Sequence, residues 1–435
     1  MGESMANALA NGQPRLRWLF LDLNSYFASV EQELRPELRG RPVAVVPLVA
    51  DTTCCIAASY EAKKHGVRTG TRVGEAKRLC PGIVLVEARH EVYVDYHHRV
   101  VEAVESCVPV TSVMSIDEMA CRLLGREQPL LSALELAREV KAAIRRKAGS
   151  TLCCSIGLAP NRYLAKVASD MEKPDGLVAL TPDLLHDALC ALTPRDLPGV
   201  GARMERRLSE QGIRTMAQLL SLDREKLHAL WGSIGGEKLW YWLRGEDFGD
   251  PELEHQKSIG HSHVLPPELR TPEGVHAVAG KLLHKSAMRL RKAQLWASKM
   301  TVTVRFAVRK EDSSSRHTSG IPEAAWNESV SLIECQDNQT LLEGLQRIWG
   351  HCPAGDAYQK PFFVGISLGN LVPDALHTLS LFSGLEEQRR RTQLAATMDR
   401  VNYKYGTNTL CFAGMLLAGA AAPTRIAFSS IPELF

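Results

Sequence analysis

No Cys-x-x-Cys spacing occurs in this 435-residue chain, although it contains 11 cysteines. Scattered thiols with only two vicinal pairs, Cys54 with Cys55 and Cys153 with Cys154, argue against a zinc site or a disulfide framework. The expectation is reduced, mostly buried side chains. A long hydrophobic run is missing as well: the longest, Leu410 to Pro423, falls short of the ~18 residues a membrane span needs and is diluted by glycine and alanine. The opening MGESMANALANGQPRLR lacks a basic start followed by an apolar stretch. These absences predict a cytoplasmic protein with no membrane partner. Charge of one sign is also scarce, since 52 Lys and Arg against 49 Asp and Glu leave only +3. The whole-chain charge therefore announces no nucleic-acid partner, and any electrostatic footprint must be local. What the chain does have is length and 45% hydrophobic residues, which exclude a disordered tail or mini-protein and predict more than one packed domain.

Trp18 to Leu23 (WLFLDL) reads as a buried strand and SYFASVEQEL from Ser25 as a helix. Further strands are expected at Val43 to Val46, Cys54 to Ala58, Val110 to Ser115, Met119 to Leu124 and Leu152 to Gly157. Helical patterns lie at Ala62 to His65, Arg72 to Leu79, Val92 to Val108, Leu131 to Lys147 and Asn161 to Asp170. This mixture predicts an α+β domain whose sheet is partly covered by helices. From Leu184 to Gly245 the pattern is helical, with Gly-Val-Gly at 199–201 joining two helices, and the polar segment from Arg244 to Lys257 reads as a linker. A helix over Pro272 to Gln294 and an alternating strand over Lys299 to Val308 open a second α+β unit. Beyond Leu371 no clean fold signature is visible.

Asp22 closes the first buried strand, and Asp117 with Glu118 follow another. Carboxylates projecting from adjacent strand ends repel one another unless a cation neutralises them. Oxygen-only ligands favour Mg²⁺ or Mn²⁺, and two such ions support in-line displacement at phosphorus. The residues alone leave a plainer reading open, in which these acids cap turns or helices. The flanking sequence bears on that choice. FLDLNSYFASVE (Phe20 to Glu31) and SIDE (Ser115 to Glu118) resemble the two signature motifs of the Y-family, or translesion, DNA polymerases, in their bacterial polymerase IV and UmuC-like branches. The resemblance continues through SYEAKKHGVRTG (Ser59 to Gly70), SIGLAPNRYLAKVASDMEKPDG (Ser155 to Gly176), LPGVG (Leu197 to Gly201) and SIG (Ser258 to Gly260).

That resemblance implies a right-hand polymerase: a ferredoxin-like palm over 15–31 and 92–180, small fingers over 32–91, and a helix-hairpin-helix thumb over 181–247. A linker over 248–257, a little finger over 258–370 and a tail over 371–435 would follow, behind a flexible start at 1–14. It implies Asp22, Asp117, Glu118 and the main-chain carbonyl of Leu23 as ligands for two Mg²⁺ ions, with Mn²⁺ as substitute, in adding dNTPs to a primer 3′-hydroxyl. The helix N-terminus at Tyr26 and Phe27 would meet the triphosphate. Phe27 would be the steric gate beneath the sugar, with Tyr60, Lys63 and Lys173 on the phosphates. Lys63 stands where many relatives carry Arg, so a fork becomes a point charge. Asn24 and Ser25 depart from the more usual acid and aromatic residue.

Gly199 and Gly201 would let backbone N–H groups approach a DNA phosphate. Residues 255–310 hold eleven Lys or Arg and two acids, Glu268 and Glu273. Within them Lys281, Lys285, Arg289 and Lys292 recur at helical spacing, as one phosphate track would require, against the plainer reading of a solvated helix face. In the tail, Leu379, Leu381 and Phe382 resemble a peptide that binds the bacterial sliding clamp, with Ile431 to Phe435 as a weaker copy. Leu394 to Leu410 resembles the C-terminal extension of SOS-induced members, which implies accessory-protein partners. Two alternatives stand beside the polymerase: a catalytically silent paralogue acting as a clamp or repair adaptor, and a structural helix-hairpin-helix DNA-binding protein.

Overall fold

The computed structural model describes residues 15–51, 53–248, 257–307, 323–353, 361–378, 385–406, 408–419 and 421–422, which divide between two compact units broken near residue 251. In the first unit, period-two alternation along β1 (Trp18–Leu23) sends Leu19, Leu21 and Leu23 into one core and Trp18 and Phe20 into another. Asp22 shares the face of Trp18 and Phe20. The chain continues as α1 (Tyr26–Leu34) and a small sheet of β2 (Val43–Val46), β3 (Ala57–Ala58) and β4 (Val84–Glu87), flanked by α2 (Tyr60–Lys64) and α3 (Val73–Leu79). There follow α4 (His90–Glu105), β5 (Ser112–Val113), β6 (Glu118–Arg122), α5 (Leu130–Lys147), β7 (Cys154–Ala159), α6 (Arg162–Met171) and β8 (Leu177–Ala179).

The main sheet has the order β5-β6-β1-β7-β8, with β1 antiparallel to both β6 and β7. Its Leu19 and Leu21 face packs against Tyr93 and Val100 of α4 and Val140 and Ile144 of α5. The opposite face takes Leu164, Ala165 and Ala168 of α6. This second core also receives five short helices, α7 (Leu185–Cys190), α8 (Ala202–Glu210), α9 (Met216–Leu220), α10 (Arg224–Trp231) and α11 (Ile234–Trp242).

The second unit is a four-stranded antiparallel sheet of order β11-β10-β12-β9. In chain order it comprises β9 (Ser258–Val264), α12 (Pro272–Lys292), β10 (Leu295–Ala307), β11 (Glu323–Cys335), α13 (Asn338–Trp349), β12 (Pro361–Pro373) and α14 (Leu385–Tyr405). Met300, Val302, Val304, Ile366 and Leu368 bury one sheet face beneath α12 and α13. The other face presents Lys299, Thr301, Thr303, Arg305, Asn327, Ser329 and Ser367, all exposed or half-buried.

Several expected strands are shorter than their apolar runs. Cys54 to Ala58 narrows to Ala57–Ala58, because Cys55 pairs its backbone with Gly70 and Thr71 instead of with a neighbouring strand. Val110 to Ser115 narrows to Ser112–Val113. Beyond Leu371 the expected tail is folded over its described part: β12 runs to Pro373, and α14 is fastened to α12 by Arg291, whose guanidinium donates to both oxygens of Asp399 at 2.6 and 2.7 Å. All 11 cysteines are free thiols, but burial is less complete than expected, with five buried, five half-buried and Cys54 exposed. Among the described residues no helix is long and apolar enough to cross a membrane.

Gly157 sets the spacing between α6 and β7. A Cβ there would lie 2.0 Å from the Ala165 carbonyl oxygen and 2.4 Å from the Ser169 nitrogen, so only glycine lets the helix rest on the strand's backbone. Gly157→Ala is expected to destabilise the protein by about 2–3 kcal/mol, read as a lower urea midpoint with unchanged m-value.

Candidate active site

Antiparallel register makes Asp22 and Glu118 direct cross-strand partners, and Asp117 immediately precedes β6. Leu23 is the last residue of β1, and its N–H donates to the Asp117 carbonyl at 2.8 Å. Three carboxylates from two neighbouring strands thus meet at one end of the sheet, on the side covered by α6. From that helix Lys166 reaches into them, its Nζ 2.6 Å from Asp22 Oδ2, 2.8 Å from Glu118 Oε1 and 3.0 Å from Asp170 Oδ1. Lys173 adds contacts to Asp22 at 2.7 Å and Asp170 at 2.8 Å. Lys166 was not anticipated from the sequence, although its spacing from Asp170 one helical turn away was a usable signal.

The charges are unevenly balanced. Burial pushes the Asp22 carboxyl up, but Lys166 and Lys173 together outweigh it and hold Asp22 below the ordinary carboxylate range. Asp117 is raised by burial and further by the charge of Asp22, even though Ser115 Oγ donates to its Oδ1 at 2.5 Å. Glu118 is raised by burial despite the attraction of Lys166. The Lys166 ammonium pays a burial cost of its own, and the surrounding acids more than offset it, so its pKa is raised. Among the described residues no three acidic, histidine or cysteine side chains form a closed metal cage; two ammonium groups stand between the carboxylates instead. The donor set nevertheless suits a hard divalent cation, being all oxygen, with two of its three acids destabilised by burial and mutual repulsion.

Beside the carboxylates lies a polar cluster. Tyr60 is pushed up to about 12 by burial and by the charge of Asp22, and Lys63 lies 4.3 Å over the Tyr60 ring. Burial and the nearby Lys173 lower the Lys63 pKa. The first helical hydrogen bond of α1 runs from Ser29 N–H to Ser25 C=O, which leaves the N–H groups of Tyr26 and Phe27 outside the helical ladder. Ser25 stands at φ 50° with a buried, unpartnered Oγ. Asn24 joins this corner to the segment carrying Lys173: its Oδ1 accepts from the Asp175 N–H at 2.7 Å, and its Nδ2 donates to Ser155 Oγ at 3.1 Å. The amide thus performs a fixed structural task where an acid was more usual.

The DNA track expected on α12 needs correction. Lys281 is only 7% exposed, and its ammonium donates to the Gly419 carbonyl at 2.7 Å. Lys285 donates likewise to the Ala422 carbonyl, and burial pushes its pKa down to about 8. Arg289 is half-buried and Lys292 exposed, so the four residues do not form one open row. The four residues do share helical spacing, but Gly419 and Ala422 cover the face at Lys281 and Lys285. Gly199 does adopt φ 86°, in a turn entered from a 3₁₀ segment at Pro194–Asp196, and Gly201 caps α8. Leu379, Leu381, Phe382 and Ile431 to Phe435 lie outside the described residues.

Two family models cover most of the chain: the impB/mucB/samB family at residues 21–170 and its C-terminal domain at 256–381. A third, the DNA polymerase-iota thumb domain, matches 195–247. DNA polymerase IV of Moorella thermoacetica is 33% identical over 92% of this chain and 98% of its own length. DNA polymerase IV 1 of Bacillus subtilis is 30% identical, over 90% of this chain and 91% of its own. Among solved structures, a Y-family DNA polymerase chimera of Dbh and Dpo4 aligns with a TM-score of 0.65 at 23% identity, covering 82% of this chain and 99% of that one. The insertion ternary complex of Dbh DNA polymerase aligns at 0.55 and 24%, with the same coverage.

In the metal-free protein Asp117→Asn is expected to raise stability at pH 7, because it removes a buried charge while keeping an acceptor for Ser115. The raised pKa means the wild-type penalty is present above that value and vanishes as pH falls below the ordinary carboxylate range. Thermal melts in chelator should therefore show an advantage at pH 7 that disappears near pH 3.

Proposed function

Because this chain belongs to the Y-family DNA polymerases, the family of the impB/mucB/samB models, we propose that Asp22, Asp117 and Glu118, with the Leu23 carbonyl, are the ligands of its catalytic metal site. The protein is a template-directed DNA polymerase of the translesion type. The observation that carries the site reading is the cross-strand pairing of Asp22 with Glu118, Asp117 beside them, in a corner where ammonium groups already answer the negative charge. Mg²⁺ suits these donors, with Mn²⁺ as substitute, and two such ions would activate the primer hydroxyl and neutralise charge on the reacting phosphate. The catalytically silent reading finds no support in any of these features.

The chain's own part is positioning. Tyr60, Lys63, Lys173 and the N–H groups of Tyr26 and Phe27 hold the dNTP triphosphate, and Phe27 lies under the sugar and leaves no room for a 2′-hydroxyl. Lys166 keeps the carboxylates together before substrate arrives, quenching a repulsion that would otherwise spread the strand ends.

Residues 15–31 and 92–180 serve as palm, 32–91 as fingers, 181–247 as thumb and 258–370 as little finger, with 248–257 as linker. Primer-template DNA is gripped through the turn at Gly199 and Gly201 and through the second sheet's open face. That face supports the reading because its row of Thr301, Thr303, Ser367 and Asn327 is small and polar, with Lys299 and Arg305 along it. Motif resemblance supports a sliding clamp at Leu379, Leu381 and Phe382 and accessory proteins of the SOS response. A DNA substrate supports a cytoplasmic location.

Primer extension with Mg²⁺ tests the reading. Asp117→Ala and Glu118→Ala should each lower kcat by roughly 10³-fold with primer-template binding retained; turnover near wild type would remove them as ligands. Replacing Lys299 and Arg305 by alanine should reduce the slope of log K against log salt by roughly one per residue. The same change at Lys281 and Lys285 should leave that slope alone.

A further inference from the structure

Glu31 is 0% exposed, yet it faces the guanidinium groups of both Arg35 and Arg89. Burial pushes its pKa up, and hydrogen bonds from Arg89, Arg35 and Tyr93 outweigh that cost and hold it below the ordinary carboxylate range. Arg35, at the C-cap of α1, forms an ion pair with Glu31 four residues before it. Arg89, at the N-cap of α4, comes from outside the helix: its Nε lies 3.1 Å from Oε1 and its Nη2 2.5 Å from Oε2, a two-pronged clasp. Neutralising Glu31 did not require both arginines. The second one binds the start of α4 to α1.

The object held by that clasp is Tyr93, one turn into α4. Its hydroxyl donates to Glu31 Oε1 at 2.8 Å, its carbonyl accepts from the Tyr26 hydroxyl at 2.6 Å, and its ring stacks on Phe27 with centroids 4.5 Å apart and planes 20° from parallel. Phe27 and Glu31 are four residues apart on α1, so they share a face, and the Tyr93 ring spans the turn between them. Phe27 is half-buried, whereas Tyr93 is fully buried. The inner boundary of the Phe27 ring is therefore the Tyr93 ring, whose place is set by an ionic clasp.

We propose that Glu31 and Arg89 are positioning residues for sugar selection, acting through Tyr93 to fix the height of the Phe27 ring beneath the incoming nucleotide. This rests on the reading of Phe27 as the sugar-facing ring. Discrimination between a hydrogen and a hydroxyl depends on sub-ångström placement, and displacement of about 1 Å is enough to change reaction rates by orders of magnitude. Arg89 and the Tyr93 hydroxyl touch neither sugar nor phosphate in this scheme.

The test compares kcat/KM for each dNTP and its rNTP in Arg89→Ala, Tyr93→Phe and Phe27→Ala, with Arg39→Ala as control. Arg39 pairs instead with Glu33 of α1 at 3.3 Å and donates to the Gln32 carbonyl at 3.1 Å. Arg89→Ala and Tyr93→Phe should each lower the dNTP preference by roughly tenfold, through a gain in rNTP kcat/KM with dNTP kcat/KM within roughly twofold of wild type. Arg39→Ala should keep the wild-type ratio. If Phe27→Ala itself leaves sugar preference unchanged, the gate reading falls. If Phe27→Ala relaxes preference while Arg89→Ala and Tyr93→Phe keep it, with or without a lower melting temperature, the positioning role is overturned and the clasp is structural only.

Discussion

Three carboxylates forced together at the ends of two adjacent strands are the constraint on which the first unit depends. Asp22 and Glu118 cannot be separated without breaking the β1–β6 register, because their Cα positions are paired in it. Their charge must be answered from the remaining side, and α6 supplies that answer through Lys166. The helix can do so only because Gly157 lets it lie against β7 at backbone distance. A small residue in one strand thereby determines how much cation reaches acids in its neighbour. Like charges, strand register and helix spacing form one connected requirement.

The opposite side of β1 meets a different demand. There α1, α4 and α5 enclose an apolar core, and within it Glu31 provides a buried charge whose partners come from two helices. A hydrophobic residue at Glu31 would pack α1 against α4 but leave their register free to slide. Directional bonds from Arg89 and Tyr93 remove that freedom. The unit thus has two ionic fixtures on opposite faces of one strand, the first holding three carboxylates and the second an aromatic stack.

Much of this was legible from the residues. The apolar run WLFLDL gave the strand and put Asp22 at its end, whereas Asp117 and Glu118, expected to follow the strand over Val110 to Ser115, instead lie at the start of β6. Tyr60, Lys63 and Lys173, which the resemblance assigns to the phosphates, gather near Asp22. Charge spacing on Pro272 to Lys292 was misleading, since periodicity reports which residues share a face but not what covers it. The cover comes from Gly419 and Ala422, more than 120 residues away in the chain. Strand β11 is not legible in the sequence because its polar residues belong to the open face and dilute the apolar signal. Arg89 and Tyr93 escaped notice for a similar reason: neither is chemically unusual until α1 is folded beside them.

The closure of Lys281 and Lys285 by two distant carbonyls also bears on where this unit can be cut. The family's C-terminal model ends at residue 381, whereas the acceptors for these buried ammonium groups lie at 419 and 422. A chain truncated at that boundary would leave the Lys281 and Lys285 ammonium groups without these two acceptors. The stretch that the family's C-terminal model matches and the stretch that folds as one are therefore not the same length here, since α12 depends on acceptors beyond the matched residues.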